Sequence, residues 1–191
     1  GRYGEHVDPR TAIVLRTLER RVGTRVFTAT LRAYVDRARY THPTPEAFYA
    51  VVRERLGAPW EAFVRTAFET PWRYNLAVTE AVSARDPGGR WRGRAVIDRE
   101  GPFALPVNVV FTDVRGRRRV VRIPNDRPVT VVPYEGDAAL RSVSVDPEDT
   151  IPLELRRLDN ARMAHERTAP VLPLVGRVAY WVALALGSVG P

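Results

Sequence analysis

The stretch LPVNVVFTD, residues 105–113, decides the fold. Leu105, Val107, Val109 and Phe111 alternate with Pro106, Asn108 and Val110, the period of two that lays one apolar row along a single face of a strand. The same period returns at Ile151, Leu153 and Leu155, set against Pro152, Glu154 and Arg156, and reads as the cleanest half-buried strand in the chain. Turn formers stand between the apolar runs: Asp86-Pro87-Gly88-Gly89, Arg115-Gly116, Pro124-Asn125-Asp126, Glu135-Gly136-Asp137 and Asp146-Pro147. Together they predict about seven strands, over 73–82, 90–98, 105–114, 118–123, 128–134, 139–145 and 151–156. Short strands at that spacing point to an immunoglobulin- or fibronectin-like β-sandwich. The chain has no cysteine, so the Cys…Trp…Cys framework of immunoglobulin domains proper is not implied.

Before Pro71 the apolar period is 3.6 instead. Asp8-Pro9 offers an N-cap and a first-turn proline, Ile13, Val14, Leu18 and Val22 recur at helical spacing, and Gly23 closes the helix. Thr24 is placed to cap a second helix, with Phe27, Leu31, Tyr34, Val35 and Ala38 on one face. Thr44-Pro45 opens a third, packed through Phe48, Val51, Val52 and Leu56 and stopped at Gly57. A fourth carries Trp60, Phe63, Val64, Ala67 and Phe68, and Pro71 ends it. The fold class is therefore α+β. An antiparallel helical subdomain of about four helices (1–72) precedes the sandwich (73–160), and a hydrophobic C-terminal helix (161–191) follows. From Val178 to Val189 that last segment is uncharged, but Arg177 and its prolines interrupt the longer apolar run. The uncharged part alone is too short to cross a bilayer. A truncated span, an interfacial helix, a helix docked on a partner and a helix packed on its own domain all fit.

The formal net charge of +8 invites a nucleic-acid reading, yet every one of the 30 basic residues is Arg. Such a skew follows codon bias rather than phosphate contacts, and the arginines are interleaved with Asp and Glu from Arg2 to Arg177. The reading is against nucleic acid as a partner. Absence of cysteine removes disulfides, thiolate zinc sites and cysteine nucleophiles. A zinc hydrolase helix needs two histidines four residues apart. Four residues beyond His6, His42 and His165 stand Arg10, Glu46 and Ala169, so no ligand pair forms. None of Ser83, Ser142, Ser144 and Ser188 lies in a nucleophile elbow, and Ser142 and Ser144 fall on one strand face. The Arg115–Arg119 run, with Gly116 inside it, reads as a solvated hairpin turn. The chain begins Gly1-Arg2 without a signal peptide, which is read as the start of an internal fragment.

The helical half resembles the closing part of the catalytic domain in the M1 family of zinc aminopeptidases. The stretch that carries the resemblance contains Val22-Gly23, Phe27, Leu31-Arg32-Ala33-Tyr34, Tyr40 and Thr44-Pro45-Glu46-Ala47-Phe48, and it extends to Thr70-Pro71. LPVNVVFTDVRGRRRVVRIPNDRPVTV and VSVDPEDTIPLELRRLDNAR are similar to the sandwich domain of the family's bacterial membrane-associated branch. The resemblance implies a non-catalytic C-terminal portion of a metallopeptidase homologue, partnered by the remainder of the catalytic domain. It also implies a bacterial, membrane-associated setting, with residues 169–191 contacting a membrane or a permease. Zinc is implied only for a full-length active parent, because the HExxH helix lies upstream of this region; no cofactor or metal is expected in this chain. The family's catalytic tyrosine, which steadies an oxyanion, aligns without a gap to Asp8; a shift of five residues reaches Tyr3 instead. An aspartate cannot donate a proton there at neutral pH unless its pKa is strongly raised. The departure implies loss of activity in the parent, unless Tyr3 serves through a local insertion.

Overall fold

Thr44 shows how the helices are set. Its side-chain oxygen accepts the Ala47 N–H at 3.2 Å, and Pro45 follows in the first turn, where a missing N–H costs nothing. The computed structural model describes residues 9–40, 42–154 and 156–166. In it α1 spans Pro9–Val22, α2 Thr24–Ala38, α3 Pro45–Leu56 and α4 Ala58–Glu69. Gly57 closes α3 and opens α4 at φ 97°, a conformation that favours glycine, and its N–H reaches the Arg53 carbonyl at 3.0 Å. The Thr24 cap is not formed: Gly23 holds the N-cap position of α2 without a side-chain bond, and Thr24 is already helical. Replacing Thr44 by alanine removes a satisfied cap and should cost about 1 kcal/mol in urea unfolding. A loss below a few tenths would mean that Pro45 alone sets the helix start.

Buried positions follow the 3.6 period. α1 turns Val14, Thr17 and Leu18 inward, and α4 turns Phe63, Val64 and Ala67 inward. The α1 helix packs on α2 and α4, and α3 packs on α2 and α4.

Eight strands follow: β1 (Asn75–Arg85), β2 (Trp91–Glu100), β3 (Val107–Asp113), β4 (Arg118–Ile123), β5 (Val129–Gly136), β6 (Leu140–Val145), β7 (Ala161–Met163) and β8 (His165–Glu166). They form two four-stranded sheets, ordered β5-β2-β1-β8 and β4-β3-β6-β7. Pairing is antiparallel except where β8 joins β1 in parallel, at Val82↔His165 and Ser83↔Glu166. The sheets share one core, and Phe111 of β3 meets Tyr134 of β5 across it with ring centroids 5.6 Å apart.

Two expectations are corrected. Residues 151–154 form no strand, although Ile151, Leu153 and Glu154 are all buried. Pro152 has no N–H to offer a ladder, and the Glu154 N–H turns back to the Ile151 carbonyl at 3.1 Å. The expected count of about seven strands becomes eight because 161–166, assigned above to the C-terminal helix, completes both sheets. There the chain changes sheet at Ala164, since β7 pairs with β6 and β8 with β1. The hydrophobic helix expected farther along lies outside the described residues. No helix among the described residues is long and apolar enough to cross a membrane.

Helices and sheets meet through aromatic side chains. Phe103, between β2 and β3, is buried against Phe63 of α4 at 5.1 Å, Trp72 at 5.3 Å and Tyr74 at 6.2 Å. Trp72 donates its indole N–H to the Ala67 carbonyl at 2.9 Å, and the Arg10 guanidinium lies 5.1 Å over its ring. At the other end of α1, Arg20 pairs with Asp149 at 2.9 Å.

Candidate functional site

Tyr3, Asp8 and His6 lie outside the described residues, so the catalytic-tyrosine position has no structural account here. His42 precedes α3, while His165 sits on β8 beside Val82. Among the described residues no group of three or more His, Cys, Asp or Glu could hold a metal ion. Ser83 is buried and its hydroxyl accepts the Leu140 N–H at 3.0 Å, a bond that ties β1 to the start of β6. Ser142 and Ser144 share one face of β6, opposite Thr112 and Val110. Ser83 pairs with Glu166 and its neighbour Val82 with His165, so alternation sets the Ser83 and His165 side chains on opposite faces.

The arginine run from Arg115 is the β3–β4 hairpin turn. The Asp113 carboxylate accepts the N–H groups of Arg115 and Arg117, both at 2.9 Å, and the Arg117 Nε–H at 2.8 Å. Burial opposes ionisation of Asp113, but these bonds outweigh it and hold the carboxyl below its usual range.

Two arrangements stand out. The first is a shallow groove of about 700 Å³ on the outer side of α1 and α2, lined by Ala12, Leu15, Gly23, Thr24, Phe27 and Leu31. Arg16, Glu19 and Arg20 form its charged rim. It continues along α2 toward Val35, which is 57% exposed, while Phe27 is partly packed on the core and Tyr34 meets Phe48 of α3 at 5.4 Å; only Thr30 of the fifteen residues is fully buried. Such a groove can take an apolar helix or loop; it holds no acid–base pair.

The second is a buried polar cluster where residues 146–160 pass under β1. The Glu154 carboxylate, 2% exposed, accepts the Leu76 N–H at 2.6 Å and the Asn160 side-chain N–H at 2.8 Å. Burial drives its pKa up to about 7, the nearby Asp146 charge adds to this, and the two hydrogen bonds and Arg157 oppose it. Burial likewise raises the Tyr74 phenol, whose oxygen accepts the Asn125 side-chain N–H at 3.2 Å. Asp146 accepts the Thr150 hydroxyl at 2.6 Å and the N–H groups of Thr150 and Ile151, each at 3.0 Å. Arg21, half-buried, bonds the Thr150 hydroxyl at 3.3 Å, and its pKa falls through burial and the proximity of Arg122. The cluster secures the loop after β6 against β1.

Sequence reasoning missed the cluster because alternation sent Glu154 outward. The one signal available was Glu154 standing between Leu153 and Leu155 in a run with a proline at 152. The groove was partly legible: Phe27 and Leu31 had been placed on one helical face, but nothing local showed that the face would stay open. No protein-family model, curated protein or solved structure matches this chain.

Proposed function

We propose that this chain is the non-catalytic closing portion of an M1-like zinc aminopeptidase homologue. Its helices floor a catalytic-type domain, and its two sheets brace that domain as an immunoglobulin- or fibronectin-like sandwich. The observation that carries the reading is the open face of α1 and α2. On α2, Leu31 lines the groove and Val35, one turn on, is 57% exposed, an apolar strip of the kind that another protein layer covers. Phe27 and Leu31, two residues of the stretch that resembles the family, line the groove in that face.

The strand connectivity supports the sandwich assignment. Hairpins β1–β2 and β3–β4 lie in opposite sheets, and β5 and β6 return to pair with β2 and β3, the Greek-key pattern of such sandwiches. Zinc would be held by the preceding part of the catalytic domain.

The absence of cysteine supplies the test. A cysteine at Val35, which is 57% exposed, should react readily with a maleimide in this chain. In the parent protein, expressed with its upstream coding sequence, the same cysteine should react several-fold more slowly. Equal rates would sink the covered-face reading. An upstream sequence with no counterpart of the catalytic domain would sink the aminopeptidase parentage, whereas a broken HExxH in a matching domain would mark a pseudoenzyme.

A further inference from the structure

The free edge of β4 has a chemistry that nothing described so far uses. Val107, Val109 and Phe111 of β3 face the core, and their partners on β4 are Ile123, Val121 and Arg119. Alternation therefore puts Arg118, Val120 and Arg122 together on the outer face. The Asp113 N–H donates to the Arg117 carbonyl at 3.0 Å at the hairpin end of the pair. From that bond the ladder alternates, so the backbone groups of Arg119, Val121 and Ile123 face β3. Those of Arg118, Val120 and Arg122 face outward, since among the described residues β4 is the last strand of its sheet. The same three residues thus offer free N–H and C=O groups along the edge and an arginine–valine–arginine row beside it.

The charges on that row are unanswered. Arg117 pairs with Asp113 at 2.8 Å and reaches Asp137 at 3.7 Å. Arg118 and Arg122 have no ion-pair partner among the described residues. Val120 between them is 56% exposed. Arg119 points the other way and donates to the Glu135 carbonyl of β5 at 3.3 Å, so it helps hold the two sheets together at this margin. The edge of β5 carries no charge from Val129 to Tyr134 and is protected by Pro133 instead.

We propose that β4 accepts an extended acidic segment of a partner protein by strand addition. The sequence it fits is acidic–x–apolar–x–acidic: two carboxylates opposite Arg118 and Arg122, about 14 Å apart at the strand rise, and an apolar side chain on Val120. A second copy of this chain is a poor occupant. Antiparallel pairing of β4 with itself about Val120 would set Arg118 against Arg122 of the other copy, and like charges directly opposed are destabilising.

The test titrates the full chain with a capped peptide of core Glu-Thr-Val-Thr-Glu, its Lys-Thr-Val-Thr-Lys counterpart, a scrambled acidic peptide of the same composition and a single-stranded oligonucleotide. Amide hydrogen exchange locates each contact. The expected result is an approximately tenfold preference for the first peptide over the basic one. It should slow exchange at Arg118, Val120 and Arg122, and the preference should reverse in the double variant Arg118→Glu, Arg122→Glu. That reversal also shows that the variant is folded. Equal binding of the scrambled peptide would reduce the effect to bulk attraction and overturn the proposal. Protection confined to β5 or α2, or protection of β4 by the oligonucleotide alone, would overturn it as well. No binding of the first peptide would overturn it too, and would make the arginines guards against edge pairing.

Discussion

Phe103→Ala should lower stability by about 3–5 kcal/mol, because it removes the ring on which the helical layer and the sheets close. Phe103 is 4% exposed and touches rings from three places in the chain: Phe63 on α4, Trp72 in the connection and Tyr74 before β1. No small shift brings those three together, so most of the cavity should persist and carry its full cost. For a chain of this length the loss corresponds to a fall in Tm of roughly 6–20 °C. Phe103→Leu keeps much of the volume and should lose about half as much. Tryptophan fluorescence, to which Trp72 beside this ring and Trp60 on Phe63 contribute, should report the same transition as far-UV circular dichroism. A change in Tm of only a degree or two for the alanine variant would mean that the helical layer is held elsewhere, through Arg20–Asp149 and its neighbours.

Glu154 should make the protein less stable as pH rises from about 4.5 to about 7. The sign follows from proton counting. The unfolded carboxyl titrates near 4.5, and the folded one near 7 because it is buried. Between those values the folded state holds the extra proton, so stability declines as pH rises through the window and is level above it. The span corresponds to about 3 kcal/mol. Asp149 acts in the opposite direction at lower pH: hydrogen bonds from Arg157 and Arg20 outweigh burial and keep it below its usual range, so its contribution is lost only in acid. Urea unfolding at pH 5 and pH 8 separates the two. Glu154→Gln should abolish the slope above pH 5 and equal or exceed the native stability at pH 8. Its carbonyl can still take the Leu76 N–H, and its amide can donate to the Asn160 Oδ1, which is buried without a partner, once that side chain turns over. Glu154→Ala strands the Leu76 N–H in a cavity and should cost about 3 kcal/mol at pH 5. An unchanged slope in Glu154→Gln would place the titrating group elsewhere.

Residues 105–113 and 151–156 show where sequence reasoning holds and where it stops. Both have the same alternation of apolar and other residues, and both were expected to be strands. The first became β3, an inner strand paired on both sides by β4 and β6. Of the second, residues 151–154 became an irregular turn whose carboxylate points into the protein. The difference lies in the neighbours: a period of two marks a strand only if other strands are present to take its N–H and C=O groups, and Pro152 withholds one of its own. The reverse error occurred at 161–166, where ARMAHE has no β-branched residue and no Phe, Tyr or Trp and was grouped with the C-terminal helix. It is a strand segment because β6 and β1 each had an open edge there, and edge strands are selected by available backbone partners more than by their own side chains.

By itself the sequence determined the α+β order, the stop of α3 at Gly57, the proline-marked starts of α1 and α3, and the hairpin turns at Asp86 and Asp113. Each of these rests on contacts within four residues, such as Thr44 with Ala47 or Asp113 with Arg117. Tertiary structure alone decided that Glu154 would be buried, that Phe103 would close the joint between helices and sheets, and that α2 and β4 would be left facing solvent. Those outcomes depend on groups far apart in the chain. Glu154 receives its hydrogen bond from Leu76, 78 residues away, and no local pattern records a partner at that distance.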